Sequence, residues 1–506
     1  MFLITIFLIV TVVALIYLFL IWNSNYWKKR NVNGPKPNPF YGSFPSIYTQ
    51  KRNIVMDMDD VYRKYKRDED FVGIFNCRSP ALLVTSPELA RRVYVTDFKH
   101  FHDNEASTMV DSKSDFIFAN NPFSLRGEEW KQRRAEVTPG LTASRIKTVY
   151  PVTTKVCDRM VEYIRKQIKM APKDGVDGKD LSLRYTSEVV TDCVLGINAD
   201  SFSENPKPIL NNIKNLFEQS YVFIIYMVLV GFFPILKQFY KVRLIPKPVE
   251  TYFINLMESV IELRKKTEQT DRVDFLNYML QLQQKKNLDT MQLTAHTMTF
   301  LLDGFETTAG VISHLLLLLG RNIEKQEKLR AEILEHLQGD SNIDFDKLSE
   351  LPYLDACVHE AIRIFPPGLL TSKLCTEPIE LTNKNGSILK VQLGDVVSLP
   401  LYSLMHDEEY YPKPEEFIPE RFSEETDGVK KYREKGVYFG FADGPRVCLG
   451  MRFALTQTKA AIVAILTNFN ISVNEKTRKD NKLDPKYFLA RLDGGIWLNF
   501  EQRHVM

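Results

Sequence analysis

One stretch near the C-terminus restricts what this chain can become more than any other: Phe439-Gly440-Phe441-Ala442-Asp443-Gly444-Pro445-Arg446-Val447-Cys448-Leu449-Gly450-Met451-Arg452. Glycines and a proline set a tight turn ahead of Cys448, and the run from Phe453 to Ile462 has the period of a helix starting just after Gly450. The spacing therefore predicts a thiol at a helix N-terminus. Unpaired backbone N–H groups and a partial positive charge there favour thiolate over thiol, leaving a soft anionic ligand aimed out of the loop. No second Cys or His stands at chelate spacing nearby, which argues against a zinc cage and for a cysteine that holds a single position of one metal.

Position by position, Phe441-x-x-Gly444-x-Arg446-x-Cys448-x-Gly450 resembles the haem-binding signature of the cytochromes P-450, the haem-thiolate monooxygenases. The resemblance implies a mainly α fold with small β-sheets, a triangular helical prism around haem b. It makes Cys448 the axial thiolate and only metal ligand, and it places Phe441, Arg446 and Gly450 in the cofactor-binding loop.

Other segments bear on this. Trp130 and Arg134 lie four apart on a predicted helix, so an indole N–H and a guanidinium on one face could hold an anion. The family's Trp-x-x-x-Arg pair binds haem propionates. Lys131, Arg133, Arg145 and Lys147 make the surroundings basic, a candidate dock for an acidic redox partner. A long helix is predicted from an Asp289 N-cap, with Gln292 completing the cap, to Arg321. On it Gly304 and Thr307 are three apart, which is expected to leave room for a small ligand beside a hydroxyl. Gly304-Phe305-Glu306-Thr307 resembles the family's oxygen-binding motif, with Gly304, Glu306 and Thr307 as catalytic residues delivering protons.

Asp303 departs from the family, whose members mostly carry alanine there. A carboxylate in an apolar pocket must be bonded, paired or protonated. Thr299, Thr307 and Arg491 are its candidate partners, and a basic or hydroxylated substrate is the alternative. Glu360 and Arg363 sit three apart on a helix stopped by Pro366-Pro367 and, with Arg421, match the family's structural triad. Lys373 stands where many relatives bind a propionate with arginine, so it keeps the charge but loses the bidentate fork. By resemblance the pocket walls are the loop from Phe101 to Phe118, Leu302, Asp303, Leu369 to Thr371 (Leu370 included), and Phe488 with Leu489.

The organisation follows from the ends inward. Phe2 to Trp22 is apolar enough to span a membrane and lacks the basic region and small-residue site of a cleaved signal, so residues 1–27 read as an anchor. Lys28-Lys29-Arg30 set the rest of the chain on the cytosolic side, with Trp22, Tyr26 and Trp27 at the interface. Residues 28–45 form a basic, Pro-rich hinge, read as an extended spacer. Residues 46–506 form one catalytic domain, because no repeat or linker interrupts them. Leu216 to Phe253, rich in aromatics such as Phe217, is too broken by Gly231 and Pro234 for a second span; the resemblance implies a cap on the pocket that dips into the membrane surface, with ordinary core packing as the alternative. The net charge of +3 comes from interspersed acids and bases, which argues against nucleic acid as a partner. Six scattered cysteines fit free thiols in a reducing compartment.

The resemblance thus implies a microsomal monooxygenase of the endoplasmic reticulum, similar to insect xenobiotic-metabolising members. It would insert one atom of O2 into lipophilic xenobiotics, lipids or hormones. Its electrons would come from NADPH through a flavoprotein reductase, with cytochrome b5 as a further candidate donor. The alternatives are an isomerase or dehydratase acting on a peroxide, and a haem-binding sensor without turnover; an intact Thr307 argues against the former.

Overall fold

A computed structural model describes residues 2–171, 173–215, 221–266, 273–338 and 343–503. Phe217 lies outside these residues. Helix α1, Phe2–Ile21, is apolar on every side and has no buried residue. An all-apolar helix that packs against little else must find another apolar phase, which makes it a candidate membrane anchor. Val55 to Tyr65 has the residue pattern of a helix, and helix α2 runs over Val55–Tyr65. Phe71 to Phe75 and Ala81 to Val84 read from the sequence as a β-hairpin, and strands β1 (Phe71–Asn76) and β2 (Ser79–Val84) form it, with Phe71 paired to Val84 and Asn76 to Ser79. The short strand β3 (Asp103–Asn104) precedes α3 (Gly127–Val137), α4 (Ala143–Met170), β4 (Val176–Asp177) and α5 (Gly178–Leu195). Helix α6, Tyr221–Phe232, leads to α7, Thr290–Arg321, and α8, Pro352–Ile364. After β5 (Thr371–Leu374), β6 (Ile379–Thr382), β7 (Ile388–Val391) and β8 (Val396–Leu399) comes α9, Met451–Asn468, closed by β9 (Phe469–Val473) and β10 (Trp497–Gln502).

The strands make small sheets at the edges of a helical body: β1-β2-β8-β5-β3, β4-β10-β9, and the β6-β7 hairpin. Helix α7 is the spine. Its N-terminus carries the predicted capping box, the Asp289 carboxylate accepting from the Gln292 N–H while the Gln292 side chain accepts from the Asp289 N–H. It is the other described helix long and apolar enough to span a membrane, but most of it is buried between α5, α8 and α9. Its apolar surface is therefore spent on the core.

Two expectations change. Trp27 is 7% exposed rather than interfacial. Its indole N–H donates to the Ile74 carbonyl at 3.0 Å and its ring lies where a side chain on Gly73 would stand. The following segment is not a free spacer: Gly73 N–H donates to Asn33 O at 2.8 Å, and Ser43 N–H to Phe75 O at 2.9 Å, so it runs docked along β1. Backbone donors on the edge of β1 would otherwise be unpaired, which is the physical reason the segment lies down.

Helix α6 divides its faces. Phe223, Tyr226 and Val230 are buried against Val110 and Val242, whereas Val222, Ile225 and Leu229 are exposed, continuing into Phe233, Ile235 and Phe239. Phe233 stacks on Phe19 of α1 with centroids 5.1 Å apart, so this exposed apolar face adjoins the anchor.

Candidate active site

The Cys448 loop is built by its neighbours. Gly444 has φ +63°, and a Cβ there would stand 2.0 Å from the Tyr94 carbonyl oxygen, so only glycine fits. Val447 N–H returns to Gly444 O at 3.0 Å and Cys448 N–H to Phe441 O at 2.9 Å. Phe439 stacks on Tyr94, while Phe441 is half-buried and meets His359 edge-on. Helix α9 begins as predicted, with Gly450 as its N-cap.

Five of the six cysteines are buried; Cys448 alone exposes surface. That surface belongs to an interior recess, since burial nevertheless pushes its thiol up to about 11. Backbone N–H groups of Gly450 and Met451, with Arg134, pull the other way. The helix start thus acts in the expected direction but loses to desolvation, so the free protein holds a thiol. Among the described residues no group of three His, Cys, Asp or Glu gathers as a metal cage.

Around this loop the structure collects cations. On α3, Trp130 is buried and Arg134 donates to Val447 O at 2.8 Å. Arg446 lies over the Trp130 ring, 4.2 Å from its centroid, and donates to Pro122 O at 2.8 Å, Leu125 O at 2.9 Å and the Asp103 carboxylate at 3.3 Å. Lys373 is 2% exposed; it donates to Asn104 Oδ1 at 2.7 Å, and burial, then the Arg446 charge, lowers it to about 7. Asp103, bonded also to His102, is the carboxylate that pairs with Arg446. Arg446 Nε is buried without a partner.

An excess of buried cations over carboxylates is costly unless anions complete it. The two propionates of a haem have that charge, and a Cβ on Gly450 would meet open space, leaving a face for a flat group beside the thiol. The residues present fit haem.

Across the recess stands α7. Asp303 is exposed to it, although Leu302 and Phe305 beside it are buried. Its expected partners are elsewhere. Thr299 donates to Ala295 O and Thr307 to Asp303 O at 2.6 Å, both backbone bonds, and Arg491 lies over the Tyr487 ring. The carboxylate is held instead by Asn121, whose Nδ2 donates to both oxygens at 3.0 and 3.1 Å. Burial, opposed by the Asn121 bond, raises Asp303 to about 6.

Glu306 pairs with Lys179 of α5 at 2.8 Å, a partner 127 residues away that nothing in the sequence signals. A Cβ on Gly304 would lie 3.2 and 3.4 Å from the methyls of Val190, so its missing side chain admits α5, in a direction next to that of Thr307. Three residues span 300° of helix, which separates the two directions by about 60°.

The triad is buried. Arg363 grips Glu360 at 2.7 and 2.9 Å with both side chains 0% exposed, and Arg421 adds a bond at 3.3 Å. Of the expected pocket walls, Leu302 and Leu369 pack into the hydrophobic clusters and Leu370 is half-buried against a third. Phe488 is half-exposed and edge-on to Phe223, joining the C-terminal loop to α6.

Comparison with known proteins bears on the same residues. The cytochrome P450 family model matches residues 32–498. The chain is 55% identical to probable cytochrome P450 28a5 of Drosophila melanogaster, over 99% of this chain and 100% of that one. It is 54% identical to probable cytochrome P450 28d1 of the same fly, over 98% of both. Cytochrome P450 6j1 of Blattella germanica is 32% identical over 97% of this chain and 98% of its own. With its helical body, small sheets and cysteine loop, the chain belongs to the cytochrome P450 family of haem-thiolate monooxygenases.

Proposed function

We propose that this chain is anchored by α1 in the endoplasmic reticulum membrane with its catalytic domain in the cytosol, and inserts one atom of O2 into lipophilic small molecules. Electrons come from NADPH through a flavoprotein reductase docking near the basic surroundings of α3, with cytochrome b5 as a second donor. The carrying observation is Cys448, a lone thiol opening on an interior recess beside surplus cations.

Bound there, the haem supplies the redox chemistry that activates oxygen. Cys448 holds its iron, and Trp130, Arg134 and Arg446 hold its propionates, with Lys373 supporting them through Asn104. The Thr307 hydroxyl donates to the Asp303 carbonyl, so it must rotate before it can donate to anything else. Glu306 is tethered by Lys179, and each side chain keeps some exposure, 13% and 16%. The pair thus lies between solvent and α7, where it can take up a proton and pass it toward Thr307. The exposed face of α6 rests on the membrane beside α1 and admits lipophilic substrates from it.

The test is spectroscopic. The reduced carbon monoxide complex of the full chain should show the red-shifted Soret band of thiolate ligation, and Cys448→Ser should lose it while the protein stays folded. A neutral-ligand spectrum in the wild type overturns the reading. Reductase-dependent NADPH consumption, stimulated by lipophilic compounds, checks the electron source.

A further inference from the structure

The carboxylate of Asp303 takes no part in holding the haem or in the proton path of Glu306 and Thr307. It projects from α7 with its surface exposed between buried Leu302 and Phe305, and both of its oxygens are held by Asn121. Asn121 is 2% exposed and its own Oδ1 accepts from Phe123 N–H at 2.7 Å, which fixes the amide so that only Nδ2 can face the carboxylate. The amide is a rigid bracket that orients Asp303 without neutralising it.

A carboxylate has about four acceptor sites, and Asn121 reaches one on each oxygen. Among the described residues no cation pairs with Asp303. Lys179 of α5 is taken by Glu306, Arg134 of α3 by Val447 O, and Arg491 by the Tyr487 ring. Val190 covers the α5 side at Gly304, and Leu302 and Phe305 are buried. An anion held in place among apolar neighbours gains most from a ligand that brings the missing charge.

We infer that Asp303, oriented by Asn121, is a specificity residue that selects substrates carrying a cationic nitrogen on an otherwise lipophilic body. This rests on the haem-thiolate reading and narrows its substrate class. Near neutral pH the acid is mostly ionised, since it titrates at about 6.

The test uses haem-loaded full chain and equilibrium binding read by the Soret shift, not turnover. The probes are phenylalkyl trimethylammonium ions with one to four methylenes, each against its tert-butyl carbon isostere. A quaternary nitrogen cannot ligate iron, so any preference reports the pocket. Wild type should bind at least one cation roughly tenfold more tightly than its isostere. Asp303→Asn should erase that ratio while leaving the isostere within about twofold, and Asp303→Glu should restore part of it. The proposal is overturned if no cation in the series outbinds its isostere in the wild type, or if Asp303→Asn keeps the ratio. The carbon monoxide spectrum of the same samples reports separately on thiolate ligation, so a failure there is distinguishable from a failure of cation selection.

Discussion

Two carboxylates in this protein are both far from bulk water, and they are treated in opposite ways. Glu360 accepts four hydrogen bonds, two from Arg363, one from Arg421 and one from Ile418 N–H. Asp303 accepts two, both from one neutral amide. Glu360 is fully enclosed, and its arginine partner is bonded onward to Met405 O and Pro414 O. Asp303 opens on a recess. A closed network fixes the fold, because its one carboxylate is fully answered by the chain itself. An open one leaves a charge for something that comes from outside. The cations around Arg446 repeat the lesson with the sign reversed.

The strongest way to break the comparison is Glu360→Ala. It leaves two arginines buried without their anion, a change that costs about 3–5 kcal/mol. The expected outcome is a protein that unfolds many degrees lower and retains little haem. Because Arg363 ties α8 to the segments at Met405 and Pro414, the loss should spread to the Cys448 loop. A variant with wild-type melting temperature and haem content would show that the closed network does not hold the fold. Asp303→Asn, by contrast, should move the melting temperature little.

The sequence made the closed half readable and the open half not. Glu360 and Arg363 are a turn apart on one helix, so their contact follows from helical geometry. The α7 capping box, the bounds of α2 and the β1-β2 hairpin are equally local. Asn121 meets Asp303 across 182 residues, and no pattern in either segment announces it. Thr299 and Thr307 were plausible partners only because they are near in sequence; both hydroxyls turn back to the helix backbone instead. Trp27 misled for a related reason. An aromatic beside Lys28-Lys29-Arg30 has the pattern of a membrane interface, yet Gly73 leaves a side-chain-sized place for it on β1.

Acid probes the closed half without mutation. His359 lies on α8, His314 stacks on Phe365 at its end, and His406 feels Arg363. Burial pushes them down to about 4, 3 and 3. Their folded values lie below the unfolded value of about 6.5, so the folded state binds fewer protons. The stability that they contribute is full above pH 6.5 and is lost as pH falls toward 4 and 3. Between pH 6.5 and 5.5 each should cost about 1 kcal/mol, roughly 3 for the set. Melting temperature measured across that window should fall, with proton uptake on unfolding. A flat profile would mean that these histidines are already charged, and that α8 is less enclosed than its neighbours indicate.

The smallest effect belongs to Gly304, where two opposed terms nearly cancel. Alanine in a helix interior is favoured over glycine by about 0.5–1 kcal/mol. The new Cβ would stand 3.2 Å from one methyl of Val190 and 3.4 Å from the other, so that buried side chain must retreat by a few tenths of an ångström. Overpacking of this kind takes back about 1 kcal/mol. Gly304→Ala should therefore change stability by less than about 1 kcal/mol in either direction, a melting shift of a few degrees at most. Function separates the two accounts of this glycine. If its role is close packing of α5 on α7, ligand binding in the recess should stay within about twofold of wild type, because the methyl points at Val190. If its role is to leave room beside Thr307, binding and product yield should collapse at unchanged stability. The orientation of the Cβ predicts the first outcome, and the second would place the open side of α7 on a different face from the one that Asp303 marks.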